Sequence, residues 1–420
     1  MLTISEAARK FREGSLTPEA LARESLAAIA RENPRLNAFS EVFERSALAE
    51  AARAGAELRA GKDRGPLHGI PIGVKDLFDV AGSVTTAGAH KAFHPPPAAK
   101  DSEVVARLRA AGAVILGKTG LHEWAFGVSS NNPHFGPVRN PHDPERIAGG
   151  SSGGSAAALA AGLCLGALGT DTGGSIRIPA SLCGVAGLKP TFGLVSSEGL
   201  APLAGSLDTP GPMANSVEDV FLLLEAMSDF RRRERPRPRI LVPAGAFFEE
   251  VDPDVRRVVN EAIARAGTPS PVDLGDVQAV WNANTTILLC EAAATHEARL
   301  KERPDAFGPG LVDRFKGGFA YSGVDYARAR KLQREWTSFL TRLLGDDAVL
   351  ALPATQVPAT LIGDREGAAL SKVLTRYTAP FNLAGVPCLV APAGKVGRLP
   401  VGAQFVAAPG REALLSALAL

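Results

Sequence analysis

From Ser151 to Thr170 the chain carries no charged residue, and this one stretch limits the folds open to it. It is mostly alanine and glycine with only four leucines, too weakly apolar for a membrane span of about twenty strongly hydrophobic residues. Its glycines divide it into a helix of small residues over 153–162 and a strand over 163–169. Such a pair has to be buried inside an α/β core. On one flank stands Gly149-Gly150-Ser151-Ser152-Gly153-Gly154-Ser155, and on the other Thr170-Asp171-Thr172-Gly173-Gly174-Ser175. Alone, the first reads as a flexible linker. A second Gly-Gly-Ser at the end of a buried strand argues otherwise. Glycine at this density lets backbone approach a ligand without Cβ clashes, and it leaves N–H groups able to converge on a developing anion.

The remaining chain alternates helix and strand. Thr17-Pro18-Glu19 reads as a helix start, and 46–60 as a second, alanine-rich helix, so the first 60 residues are expected to be helical packing elements. Residues 101–111 predict a helix and Ala113-Val114-Ile115-Leu116 a buried strand; Ser216 opens a helix ending near Met227. The run 231–239 holds six arginines and two prolines. It reads as a solvated connection into the strand Ile240-Leu241-Val242 rather than an RNA contact. Residues 252–344 read as mostly amphipathic helix, and Ala348–Leu352 and Cys388–Ala391 as further strands. At 420 residues the length suggests two or three domains, but the alternation favours one α/β unit with a helical excursion. The expected division is 1–60 helices, 61–230 core, 231–239 connection, 240–345 excursion and 346–420 strands completing the sheet. A formal charge of +2 gives no global drive toward nucleic acid. Four scattered cysteines without a CxxC pair, and an amino terminus lacking a signal-peptide pattern, lead to the expectation of a cytoplasmic protein with reduced thiols.

Several motifs imitate chemistry. Gly112–Thr119 matches the P-loop expression, yet its variable positions are the strand itself instead of a phosphate-wrapping turn. His122-Glu123 begins an HExxH but lacks the second histidine, so no metal is expected. Gly149–Gly153 fits the GxSxG elbow, which needs a later histidine; His296, within a helical run, is the only one. A lysine base is the economical remainder. Lys75 ends the apolar run Gly69-Ile70-Pro71-Ile72-Gly73-Val74, where burial can bring an ammonium down from about 10.4 by several units.

Taken together, Gly69–Asp76, Gly149–Ser155 and Gly169–Arg177 resemble the amidase signature family. Gly117-Lys118-Thr119, Gly136–Pro141, Ser206–Pro212 and Asn382–Pro387 support this, and Gly120 departs from the asparagine common there. The resemblance implies a single-domain α/β/α sandwich around a large mixed sheet, and an amidase without cofactor or metal. Position by position it implies Ser175 as the nucleophile, Ser151 as a proton-relaying serine after a cis peptide from Gly150, and Lys75 as the general base. It implies an oxyanion hole from the N–H groups of Thr172, Gly173, Gly174 and Ser175. Ser129, Thr170, Asp171 and Arg177 are candidates for substrate binding or loop shaping, with Asp171 and Arg177 expected to pair. The expected partner is a small amide, with no membrane; a homodimer is left open. The competing expectation is the glutamine-hydrolysing component of a tRNA-dependent amidotransferase, the one case in which nucleic acid enters. A third is a catalytically dead scaffold, which a serine-directed probe would reveal. The 240–345 excursion and the loop 125–132 are expected to wall the acyl pocket.

Overall fold

The computed structural model describes residues 2–364 and 367–418; residues 1, 365–366 and 419–420 lie outside the described residues. Its centre is an eleven-stranded sheet. In chain order the strands are β1 (Phe39–Val42), β2 (Pro71–Lys75), β3 (Val114–Thr119), β4 (Gly166–Asp171), β5 (Ala186–Lys189) and β6 (Thr209–Ala214). They continue with β7 (Arg239–Ala244), β8 (Pro269–Asp273), β9 (Ala348–Pro353), β10 (Cys388–Val396) and β11 (Leu399–Val406). Across the sheet the order is β1-β3-β2-β4-β6-β5-β10-β11-β9-β7-β8. Two parallel regions, β3-β2-β4 and β9-β7-β8, flank an antiparallel centre. Helices cover both faces, which is why most central strands are buried throughout.

One face carries α1 (Ile4–Glu13), α4 (Glu103–Ala110), α7 (Val217–Met227) and α8 (Pro253–Ala266) over Ile72, Val74, Ile115 and Phe405. The other carries α2 (Pro18–Leu36), α3 (Glu44–Arg59), α5 (Gly153–Ala160) and α6 (Arg177–Cys183) over Val114, Leu116 and Ala167. Helices α9 (Val277–Glu302), α10 (Leu311–Lys316) and α11 (Gly323–Leu344) form the excursion. The cap signals hold: the Thr17 hydroxyl accepts the Ala20 N–H ahead of Pro18, and the Ser216 hydroxyl accepts that of Asp219.

Two strands correct the sequence reading. The first 60 residues are not all helical. Asn37 ends α2 in the left-handed region (φ 52), and the Asn33 carboxamide bonds both the N–H and the carbonyl of Phe39. That clamp lets a four-residue edge strand pair with β3. Within the excursion, β8 carries two prolines and is largely exposed; only an edge position accepts them. The strand after α5 also begins at Gly166, three residues later than expected, so it runs on through Asp171.

The register fixes where chemistry can occur. Lys75 pairs with Thr119 and Val74 with Leu168, so the carboxyl ends of β2, β3 and β4 meet at one edge. β6 enters antiparallel with Thr209 opposite Asp171, which brings Asp208 to that same edge.

Candidate active site

Lys75 ends β2 on the side covered by α5 and is fully buried. Its Nζ lies 2.8 Å from Ser151 Oγ and 2.7 Å from Thr170 Oγ1. Burial pushes the ammonium down to about 7, against the attraction of Asp171 and Asp208. A lysine neutral near pH 7 has a lone pair for a hydroxyl proton, which a solvated one lacks.

Ser151 stands at the mouth of α5, after a cis Gly150–Ser151 peptide. Its carbonyl accepts the His122 N–H and the Ser130 hydroxyl, both at 3.2 Å. The other serines of this loop tie it to the sheet. Ser152 Oγ donates to Thr170 O at 3.2 Å, and Ser155 Oγ to Leu168 O at 2.7 Å. The Ser152 N–H donates to Ser175 O at 3.1 Å, locking the two Gly-Ser loops together. Ser175 is 7% exposed. Of the four N–H groups expected to face an oxyanion, Gly174's does not: it donates to Asp171 Oδ1 at 2.8 Å, because that carboxylate closes the turn from inside. Those of Thr172, Gly173 and Ser175 make no hydrogen bond to the protein among the described residues.

Asp171 and Arg177 are fully buried and paired, Nη2 to Oδ1 at 2.9 Å and Nε to Oδ2 at 3.0 Å. Arg177 also donates to Thr378 O at 3.0 Å, Gln404 Oε1 at 2.6 Å and Asn382 Oδ1 at 2.5 Å. All five guanidinium donors are thereby satisfied. Burial alone would raise the Asp171 carboxyl, but Arg177 and Asn382 hold it well below the usual range. Thr172 Oγ1 donates to Asp208 at 2.6 Å, and Asp208 also accepts the Leu203 and Ala204 N–H groups. Burial pushes the Asp208 carboxyl up to about 6 despite those bonds. Asp208, Thr378, Asn382 and Gln404 were not singled out from sequence. Asp208 and Asn382 sat within matched motifs, which was the available signal.

Beside Gly173 opens a cavity of about 300 Å³, walled by Phe126, by Trp281, Leu288 and Arg314 of the excursion, and by Thr375. A neighbouring cavity of about 320 Å³ shares Phe126 and Arg314 and includes His122. The loop between them holds Trp124, Ala125 and Ser130 in the left-handed region, uncommon for such residues and typical of constrained sites. Ser129, on that loop, accepts the Asn131 N–H at 3.2 Å and lies 3.4 Å from His122 Nδ1. Burial, with Arg314 and Lys75 nearby, pushes His122 down to about 3. His296 packs among Trp124, Phe307 and Phe315. Gly117 to Thr119 lies in β3, and Lys118 Nζ bonds Asp76, Phe78 O and Thr85 within the fold. No cluster of three or more metal-ligating side chains occurs among the described residues, and none of their helices is long and apolar enough to cross a membrane.

Comparison with known proteins agrees with this architecture. The family model described as Amidase matches residues 20–415. AtzE, the 1-carboxybiuret hydrolase subunit of Pseudomonas sp. (strain ADP), is 38% identical, covering 96% of this chain and 93% of that protein. The A subunit of the glutamyl-tRNA(Gln) amidotransferase of Marinomonas sp. (strain MWYL1) is 35% identical, covering 96% and 92%. A solved structure from a vestigial protein complex, concerned with the origins of an s-triazine catabolic enzyme, superposes with a TM-score of 0.93 at 36% identity, covering 99% of this chain and 97% of that one. The buried lysine, the paired Gly-Ser loops and matches along nearly the whole length lead to one conclusion: the chain belongs to the amidase signature family of enzymes that hydrolyse carbon–nitrogen amide bonds.

Proposed function

We propose that the chain hydrolyses a small carboxylic amide through an acyl-enzyme on Ser175, with Ser151 relaying protons and Lys75 as general base. The observation that carries this reading is the buried Lys75 Nζ, 2.8 Å from Ser151 Oγ. Ser175 Oγ attacks the amide carbon and passes its proton to Ser151, whose own proton goes to neutral Lys75. The carbonyl oxygen becomes an oxyanion facing the N–H groups of Thr172, Gly173 and Ser175, each worth about 2.7–4 kcal/mol of barrier in comparable sites. Collapse breaks the C–N bond, and the relay runs backward to protonate the leaving ammonia or amine. Water then attacks the ester with the relay running forward again, releasing the acid and free Ser175.

The test is a panel of primary amides with the Ser175→Ala protein. Turnover is expected to fall by a factor on the order of 10⁴ or more, and a fluorophosphonate probe is expected to label wild-type Ser175 alone. Retained turnover in that variant would overturn the mechanism.

A second reading is supported by the 35% identity to the glutamyl-tRNA(Gln) amidotransferase relative over 96% of the chain. There the amide is glutamine and the ammonia passes to an acyl-tRNA. Both relatives are named as subunits, so a partner protein is part of the question. Co-purification of partner proteins together with glutamine-dependent transfer to charged tRNA would favour this reading; turnover of small amides by the isolated chain favours the first.

A further inference from the structure

The hydrolytic relay fixes which way a substrate has to lie. At collapse the leaving nitrogen takes its proton from Ser151, while the oxyanion faces the turn that carries Gly173. The leaving group therefore extends on the Ser151 side. Two cavities lie on these two sides. One reaches Gly173. The other, of about 320 Å³, reaches His122, whose backbone N–H donates to Ser151 O at 3.2 Å. They share a wall, the Phe126 ring with the Arg314 guanidinium 4.0 Å over it. An amide that releases ammonia leaves the His122 cavity unused. Phe126, Pro133, Pro309 and Leu311 make its walls largely apolar. The His122 imidazole is wedged against Gly127, where a Cβ would run into the ring. Burial, with Arg314 and Lys75 nearby, keeps that imidazole uncharged at neutral pH. The carboxylate on this wall, Glu123, is 1% exposed and already engaged. Its Oε1 lies 3.1 Å from His134 Nε2, and its Oε2 accepts the Gly308 N–H at 3.0 Å.

We infer that the His122 cavity is a leaving-group subsite, so that the preferred substrates are secondary amides whose amine part ends in an apolar or aromatic group. This rests on the acyl-enzyme reading, which sets the amide nitrogen beside Ser151. When the C–N bond breaks, that nitrogen takes the Ser151 proton, and the amine's substituent occupies the cavity until the amine departs. The volume is in the range of cavities that hold small ligands. A single ring there packs against Phe126 and the uncharged His122, and it gives up apolar area that water would otherwise cover.

The first arm compares wild-type kcat/KM for N-ethylbutyramide and N-(2-phenylethyl)butyramide, which share an acyl part and release amines of similar basicity. The phenylethyl amide is expected to win by ~30-fold or more, since apolar groups in a fitted pocket discriminate on that scale. Leu311→Trp fills the His122 cavity and should lower this ratio by ~10-fold or more. Leu288→Trp, on the wall of the Gly173 cavity alone, should leave the ratio within ~3-fold. Pro309→Trp, at the exposed rim of the His122 cavity, replaces Leu311→Trp if that variant does not fold. The second arm needs no turnover. By calorimetry the Ser175→Ala protein should bind the phenylethyl amide ~30-fold or more tighter than the ethyl amide, and adding the filling variant should remove that advantage. Equal values for the two amides, or a preference lost in Leu288→Trp and kept in Leu311→Trp, would overturn the subsite. Ring-dependent binding that the filling variant abolishes, in a protein whose wild type hydrolyses neither amide, would uphold the cavity as the amine-side pocket and sink the acyl-enzyme reading.

Discussion

Lys75 is placed where the ammonium has lost its water and gained only distant anions, Asp171 and Asp208, so that its proton leaves near pH 7. The neutral amine is the form that can accept a proton. We therefore expect kcat/KM for an uncharged amide to fall tenfold per pH unit below about 7 and to level off above it. Asp208→Asn removes a charge that raises Lys75, so the acid limb should move to lower pH, along with a loss of rate from the freed Thr172. A limb that stays in place in that variant would mean that another group sets it. At this scale the sequence puts Lys75 at the end of an apolar strand and Ser151 and Ser175 in glycine-rich turns, while the role proposed for each comes from the family resemblance and not from local pattern. It misplaced the Gly174 N–H, which was expected to face an oxyanion and instead donates to Asp171 Oδ1. Whether an N–H faces a ligand or an internal carboxylate depends on Asp171 turning inward, and Asp171 turns inward because Arg177 and Asn382 hold it there.

Helix α5 approaches its neighbours more closely than any side chain would allow. A Cβ on Gly154 would lie 2.4 Å from both Gly120 N and Gly120 O, and 2.5 Å from Ala38 O, all of them backbone atoms. Overpacking of this kind costs about 1–3 kcal/mol, and here it also displaces the loop that presents Ser151. Gly154→Ala should lower the urea midpoint and kcat together. Gly323→Ala, at the start of α11 with no atom within 4 Å, should leave both near wild type. The small-residue composition announced this close packing, and the helix and strand around it were legible for that reason. The edge strands β1 and β8 were not. One depends on a side-chain clamp from Asn33, the other on a neighbour that tolerates prolines, and neither leaves an alternating apolar pattern.

Arg177 joins parts of the chain that local sequence cannot connect: Asp171 six residues away, and Thr378, Asn382 and Gln404 more than two hundred residues on. Asn382 lies on the short helix Ala379–Leu383, against which Trp336 of the excursion donates its indole N–H to Pro380 O at 2.8 Å. The excursion, the C-terminal strands and the Ser175 turn are thus coupled through one buried cation. Removing one member of such a pair leaves a charge stranded, at a cost of about 3–5 kcal/mol. Arg177→Met should therefore destabilise the protein by that order. All three tryptophans, Trp124, Trp281 and Trp336, report on the excursion and the loop beside it, whereas far-ultraviolet dichroism reports on sheet and helices together. If the chain is one cooperative unit, fluorescence and dichroism transitions coincide in wild type and shift by the same amount in the variant. An unchanged tryptophan transition beside a shifted dichroism transition would show that the excursion folds on its own and that Arg177 holds only the core.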